Sequence, residues 1–296
     1  MANPVRYPLS GASHLGPRAA ISIALIAMVL GSCSINLGSL TSSAEPGEPA
    51  RSTSSINIAS LSEVIKNSPN DPVAYNKRGS ALAQAGKTDE ALADFNKAIS
   101  LDANYGAAYA NRGLIYRQTR RLDLAMADFE RAIALDANSA PAYLGRGLVN
   151  KAGNQTVEAL EDFNKAIALA PDNADAYYNR GLLYQDEKQH QSAIDDFTAA
   201  SGLVPQRAEP LLARAISYLA LDEPREAVKD LDEAVQDEPQ NAQAWITRGL
   251  AYERLGDKAK AAGCYGRAIN LRPHDEAART GFARVGGKPG QSYDTF

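Results

Sequence analysis

The dipeptide Arg-Gly returns at a fixed step along this chain. It stands at Arg78-Gly79, Arg112-Gly113, Arg146-Gly147, Arg180-Gly181 and Arg248-Gly249, and Arg214-Ala215 fills the remaining place. The step is 34 residues throughout. Three further series keep it: Ala91, Ala125, Ala159, Ala193, Ala227, Ala261; Phe95, Phe129, Phe163, Phe197, Leu231, Tyr265; and Ala98, Ala132, Ala166, Ala200, Ala234, Ala268. No insertion disturbs the phase. A strict period of this length means one small supersecondary unit used repeatedly, with each copy packing on its neighbours.

Within a unit the spacing is helical. Tyr109, Gly113 and Tyr116 lie four and three residues apart and share one helical face; Ala125, Phe129 and Ala132 do the same on a second helix. A glycine inside a helix costs about 1 kcal/mol relative to alanine. Its recurrence at one place therefore implies close helix approach, which the small alanines of the facing helix also permit. Such a helix pair leaves one apolar face uncovered, so the units must stack.

These residues, with the first aromatics Tyr75, Tyr109, Tyr143, Tyr177 and Trp245 (Leu211 in the fifth unit) and the closing Pro171, Pro205, Pro239 and Pro273, resemble the tetratricopeptide repeat. One departure is systematic: Arg replaces the usual Leu before the Gly. The resemblance implies an all-α chain, a right-handed superhelical α-solenoid of six helix pairs. The expected units are 72–105, 106–139, 140–173, 174–207, 208–241 and 242–275. An N-terminal half-unit helix is expected over 57–71, a capping helix over 276–285 and a disordered tail over 286–296.

The recurrent Arg lies beside the packing face, and the second helix carries a matching acid at Asp94, Asp128, Asp162, Asp196 and Asp230, with Cys264 in the sixth place. A charge near a core needs a partner. The spacing predicts Arg–Asp pairs between packed helices, within a unit or between neighbours. The functional alternative is an arginine ladder for anionic ligands.

The N-terminus reads as an address. Residues 1–32 hold Arg6 and Arg18 and no acid, then the apolar run from Ala19 to Leu30. That run is shorter than the ~20 residues a bilayer span needs and suits the core of a secretory signal. "LGSC", Leu30 to Cys33, resembles the bacterial lipobox. The resemblance implies removal of 1–32 and acylation at Cys33, with Ser34 pointing to the outer membrane and a chain facing the periplasm. An ordinary signal peptide and an uncleaved anchor are the other readings. Residues 33–56, rich in Ser, Thr, Pro, Gly and Glu, read as a flexible tether.

Little here points to catalysis. "ALAQAGKT", Ala81 to Thr88, fits a relaxed phosphate-loop pattern. A phosphate loop, however, follows a strand and opens a helix, whereas this segment falls in the turn between the two helices of the first unit. His190 and His274 have no second His or Cys at metal-ligand spacing. Cys264 reads as a partly buried thiol. With a net charge of −4 and no long basic run, no nucleic-acid surface is expected, and no nucleotide, metal or cofactor.

The resemblance further implies that the first helix of each pair lines a concave groove. The apolar positions there are Leu144, Leu148, Tyr178, Leu182, Leu212, Ile216, Ile246 and Leu250. Two readings stay open, a partner surface or packing of neighbouring first helices. The family's chain-end carboxylate clamp is not reproduced, since Asn76 and Ser80 stand where its Lys and Asn would be. The expected function is a non-catalytic adaptor, tethered by lipid in the bacterial envelope, that binds a protein or peptide. Alternatives are a structural subunit of an envelope assembly or secretion complex, a nucleotide-binding enzyme, or self-association; the oligomeric state is left open.

Overall fold

The computed structural model describes residues 50–288, together with 290 and 293. Among these residues there are fourteen α-helices and no strand. Helix α1 (Ala50–Asn67) stands alone. Six pairs follow: α2 (Pro72–Gln84) with α3 (Thr88–Leu101), α4 (Gly106–Gln118) with α5 (Leu122–Leu135), α6 (Ala140–Ala152) with α7 (Thr156–Leu169), α8 (Ala174–Asp186) with α9 (His190–Leu203), α10 (Ala208–Ala220) with α11 (Pro224–Asp237), and α12 (Ala242–Arg254) with α13 (Lys258–Leu271). Helix α14 (Glu276–Arg284) closes the stack.

Local chemistry explains the boundaries. Asp71, Asn173, Asn241, Asp257 and Asp275 each accept a backbone N–H two or three residues on, the N-cap bond that frees a helix start from unsatisfied donors. At the turn inside each pair one residue takes positive φ: Gly86, Arg120, Asn154, Lys188, Asp222 and Gly256. Beyond it a 6→1 bond closes the helix, as in Lys87 N–H to Leu82 O at 2.9 Å and Arg121 N–H to Tyr116 O at 2.8 Å. The turn is thus the same whether its residue is Gly or not.

The core is a row of identical joints. Phe95, Phe129, Phe163, Phe197, Leu231 and Tyr265 are fully buried on the second helices, flanked by alanines with no exposed surface. Each aromatic sits on the glycine of its own pair. A Cβ on Gly79 would lie 2.7 Å from the Phe95 ring, and one on Gly181 2.7 Å from Phe197. Close approach is therefore what the helical glycines serve.

Each second helix packs on the first helix of the next pair, and first helices of successive pairs touch one another. Second helices of successive pairs make no comparable contact. The first helices are thus crowded on the inner, concave side and the second helices fan out on the convex side, the geometry of an α-solenoid.

Two differences from the sequence reading appear at the ends. Helix α1 begins at Ala50, inside the segment read as tether. Once the half that carries buried Ile65 is packed, each preceding residue joins the helix without a new nucleation cost. In the tail, Tyr293 lies edge-on to Phe282 with ring centroids 5.9 Å apart, and its hydroxyl accepts from Lys288 N–H at 2.7 Å. Tyr293, in the segment read as disordered, thus reaches back to α14. Cys33 and the whole address segment lie outside the described residues.

Candidate functional site

The charged series resolves into a repeated staple. Arg112 donates from Nε and Nη2 to both oxygens of Asp128 at 2.8 and 2.7 Å, and from Nη1 to Asn96 at 2.7 Å on the helix before. Arg180 repeats this with Asp196 and Asn164, and Arg214 with Asp230 and Thr198. Arg78 does so with Asp94 and Ser62. Arg146 holds Asp162, which also accepts from Asn150 at 2.9 Å. The carboxylate lies within the unit, and for Arg78, Arg112, Arg180 and Arg214 a second acceptor lies across the joint. Hydrogen bonds to these carboxylates raise the guanidinium pKa values, against the opposing effect of burial. These arginines are committed to architecture.

The sixth unit is wired differently. Arg248, almost fully buried, finds no acid at position 264 and instead donates to Asp232 of the preceding pair at 2.7 Å, with Cys264 Sγ 3.6 Å from its Nη1. The acid has moved from one side of the arginine to the other. That compensation is visible in the sequence as Cys at 264 and Asp at 232, but only once the cross-joint partner is known. Burial pushes the Cys264 thiol up to about 11, with Arg248 pulling the other way.

On the inner surface, none of the eight apolar positions named from the sequence is widely exposed. Tyr178 and Ile246 are buried, and the others are half-buried. Leu144 and Leu148 pack with Phe163 and Leu183; Leu182 packs with Phe197 and Ala213; Leu212 and Leu250 pack beside Leu231 and Ala251. Much of the stripe therefore seals neighbouring inner helices. The solvent-facing parts of Leu148, Leu182, Ile216 and Leu250 remain on the concave side.

Polar side chains cross between inner helices at both ends. Asn111 donates to Asn76 at 2.9 Å, and Gln185 donates to Ser217 at 2.8 Å. Arg207, which pairs with Asp175, lies 5.1 Å from the Tyr178 ring centroid. At the far end Arg284 of α14 grips Glu253, which also accepts from the Tyr265 hydroxyl at 3.0 Å. Burial disfavours the Glu253 charge, but these hydrogen bonds outweigh it and its carboxyl titrates below the ordinary value.

The Gly-Lys-Thr segment lies in a turn between helices. Gly86 is the left-handed residue after α2, Thr88 opens α3, and Lys87 pairs with Glu90 at 3.1 Å. No strand precedes it among the described residues. His190 Nδ1 is buried without a hydrogen-bond partner; burial, and then Lys188, lower its pKa. Among the described residues no cluster of three or more His, Cys, Asp or Glu groups could hold a metal, and no helix is long and apolar enough to cross a membrane.

Family models match most of the repeat region. A model described as TPR repeat covers residues 79–119 and 151–187, and two described as tetratricopeptide repeat cover 212–276, and 106–139 with 174–206. No curated protein matches the chain. Among solved structures, a chain of the APC/C hetero-tetramer Cut9–Hcn1 superposes with TM-score 0.68 at 18% identity over 80% of this chain and 47% of its own length. This protein therefore spans about half the length of that relative. Pseudomonas aeruginosa pilF superposes with TM-score 0.66 at 21% identity, over 72% of this chain and 97% of its own. A repeat protein from Cytophaga hutchinsonii gives 0.54 at 20% identity, over 77% and 94%. At such identities the likeness is one of fold.

Proposed function

The chain belongs to the tetratricopeptide repeat family, and from that premise we propose that it is a lipid-anchored adaptor of the bacterial envelope, holding periplasmic partners in its concave groove. Serving as a scaffold for protein–protein interaction is the general property of this repeat. The anchor, the compartment and the groove residues are our reading. The observation that carries it is the pairing of a lipobox-like "LGSC" ending at Cys33 with an inner surface that keeps half-buried apolar side chains facing solvent. Tethering such a surface raises the effective concentration of its partners without any new contact.

The test is crosslinking of the full chain in cells. Leu182→Asp and Ile216→Asp place charges on the inner surface; Leu182 also packs against the Phe197 cluster, so the melting temperature of each variant is read alongside, and both are expected to abolish the crosslinked species while the chain stays folded. Partners retained in full by both variants would remove the groove from the account. Cys33→Ser is expected to abolish lipid labelling and release the chain from membranes, and continued labelling would refute the anchor.

A further inference from the structure

The two ends of the stack are unfinished, in opposite senses. Helix α1 packs on α2 as every second helix packs on the first helix of the next pair, but among the described residues it has no first helix of its own. Helix α14 packs on α13 and on the inner helix α12, as a first helix does, and no second helix follows it among the described residues. The period agrees with both assignments. Leu61 lies 34 residues before Phe95, and Val64 34 before Ala98. Gly281 is in register with Gly145, and it seats Tyr265 as Gly145 seats Phe129. Val64 is 46% exposed where its equivalents, from Ala98 to Ala268, are fully covered.

The two uncovered faces match each other. In the missing pair the seat is the exposed Ala283, 34 residues after Gly249, and the residue to fill it is Leu61. A phenylalanine would overlap an alanine there, since a Cβ on Gly79 or Gly113 falls 2.7 or 2.9 Å from the ring. Leu on Ala is the combination that the fifth pair already uses, with Leu231 and Ala215 packed together and fully buried. The staple is dropped from both sides at once: Phe282 stands where the arginine would, and Ser60 where its acid would. Burying this joint therefore strands no charge from the staple. One charged pair is gained instead. In the second unit Arg131 of α5 lies 6.0 Å from the ring centroid of Tyr109 on α4. The same two places in the missing pair hold Glu63 and Arg279, of opposite sign and both exposed.

We propose that a second copy of this chain completes the pair: α1 of one molecule packs as the second helix on α14 of another, joining molecules head to tail. The contact continues the within-pair joint that already recurs along the chain, so it follows the same nearest-neighbour logic. It is heterologous, with a different face on each side, and a third copy adds as the second did. Tyr293 of the tail already lies on Phe282 and is the competing occupant.

Sedimentation velocity of the full-length chain in detergent tests this. Species are expected to grow past the dimer as concentration rises. Glu63→Arg and Arg279→Glu each set like charges face to face, and each is expected to weaken association about tenfold. The chain that carries both changes presents opposite charges again and is expected to regain most of the loss. Both positions are exposed, so the melting temperature should stay at that of the parent. Ala283→Trp fills an exposed seat and is expected to abolish growth without unfolding the single molecule. Removing residues 289–296 takes Tyr293 off Phe282 and is expected to strengthen association; growth seen only in this shortened chain supports the joint, with the tail as its cover. A monomer at every concentration, in the full and the shortened chain alike, overturns the inference. So does assembly that stops at the dimer, that survives Ala283→Trp, or whose single charge variants are not rescued by the double.

Discussion

At the scale of single residues, the repeat is held by contacts that tolerate almost no extra atoms. Phe129 lies between two glycines, with Cβ positions on Gly113 and Gly145 falling 2.9 and 2.3 Å from its ring. Gly145→Ala is expected to destabilise by about 1–3 kcal/mol through overpacking. Gly202→Ala, where a Cβ meets nothing within 4 Å, should be neutral or stabilising by up to about 1 kcal/mol. Chemical denaturation of both variants checks the contrast, and equal effects would contradict the joint. The sixth staple gives a second prediction. Asp232→Asn removes the Asp232 carboxylate from the buried Arg248 and is expected to cost about 1–3 kcal/mol. Adding Cys264→Asp restores the arrangement of the other units and should recover most of that loss, a non-additivity read from a double-mutant cycle. The thiol itself has a pH signature. Its folded pKa, about 11, lies above the unfolded value, so the unfolded chain loses this proton first as pH rises. The contribution is intact below the ordinary thiol range and is lost toward pH 11. Cys264→Ala should flatten that alkaline fall, and alkylation at pH 8 should be slow until the chain is unfolded.

At the scale of the helix pair, the turn is more uniform than its residues. Lys188 holds φ +60 and Arg120 φ +59, a backbone region that Gly enters without penalty. Lys188→Gly is expected to stabilise by about 0.5–1 kcal/mol, a gain visible as a higher melting temperature; a loss would mean that the Lys side chain makes a contact worth more than the strain. The capping helix gives the opposite case. Tyr265 is sealed on one side by Gly281, whose Cβ position falls 2.4 Å from the ring, and Arg284 closes on Glu253. Truncation after residue 275 uncovers that joint. Hydrogen exchange should then show α12 and α13 losing protection while α4 to α7 keep theirs.

At the scale of the whole molecule, a stack of near-identical joints behaves as a sum of units and nearest-neighbour interfaces. Removing residues 174–207 deletes one full period and keeps every joint of the same type. The shortened chain is expected to stay helical and folded, with a lower denaturation midpoint, as circular dichroism would show. Collapse of the helical signal would mean that the units are not interchangeable. The charge arrangement argues that interchangeability stops at the inner surface. The staples repeat around the convex joints, whereas the inner positions in register with Arg117 run Ala83, Arg117, Lys151, Gln185, Leu219 and Glu253. The joint is conserved in chemistry from unit to unit and the groove is not, which is where a specific partner would be read.

Periodicity alone made the helix pairs legible, along with the close helix approach at the recurrent glycines and the expectation that Arg pairs with Asp, because each is a local spacing repeated in phase; whether those pairs lie within a unit or between neighbours, and that the aromatics sit on the glycines, came from the packed chain. It also removed the Gly-Lys-Thr segment from consideration as a phosphate loop, since phase puts that segment between two helices. Three things required the packed chain. The other acceptor of Arg78, Arg112, Arg180 and Arg214 lies on a different helix across a joint, so Asp232 could not be recognised as the substitute for the acid missing at 264. The division of an apolar stripe between sealing and exposure depends on how near the inner helices approach, which left Ile246 buried and Leu212, its equivalent one period earlier, half-buried. And the buried Arg117 Nε, without a hydrogen-bond partner among the described residues, is a property of space, since in the sequence this arginine looks like any other.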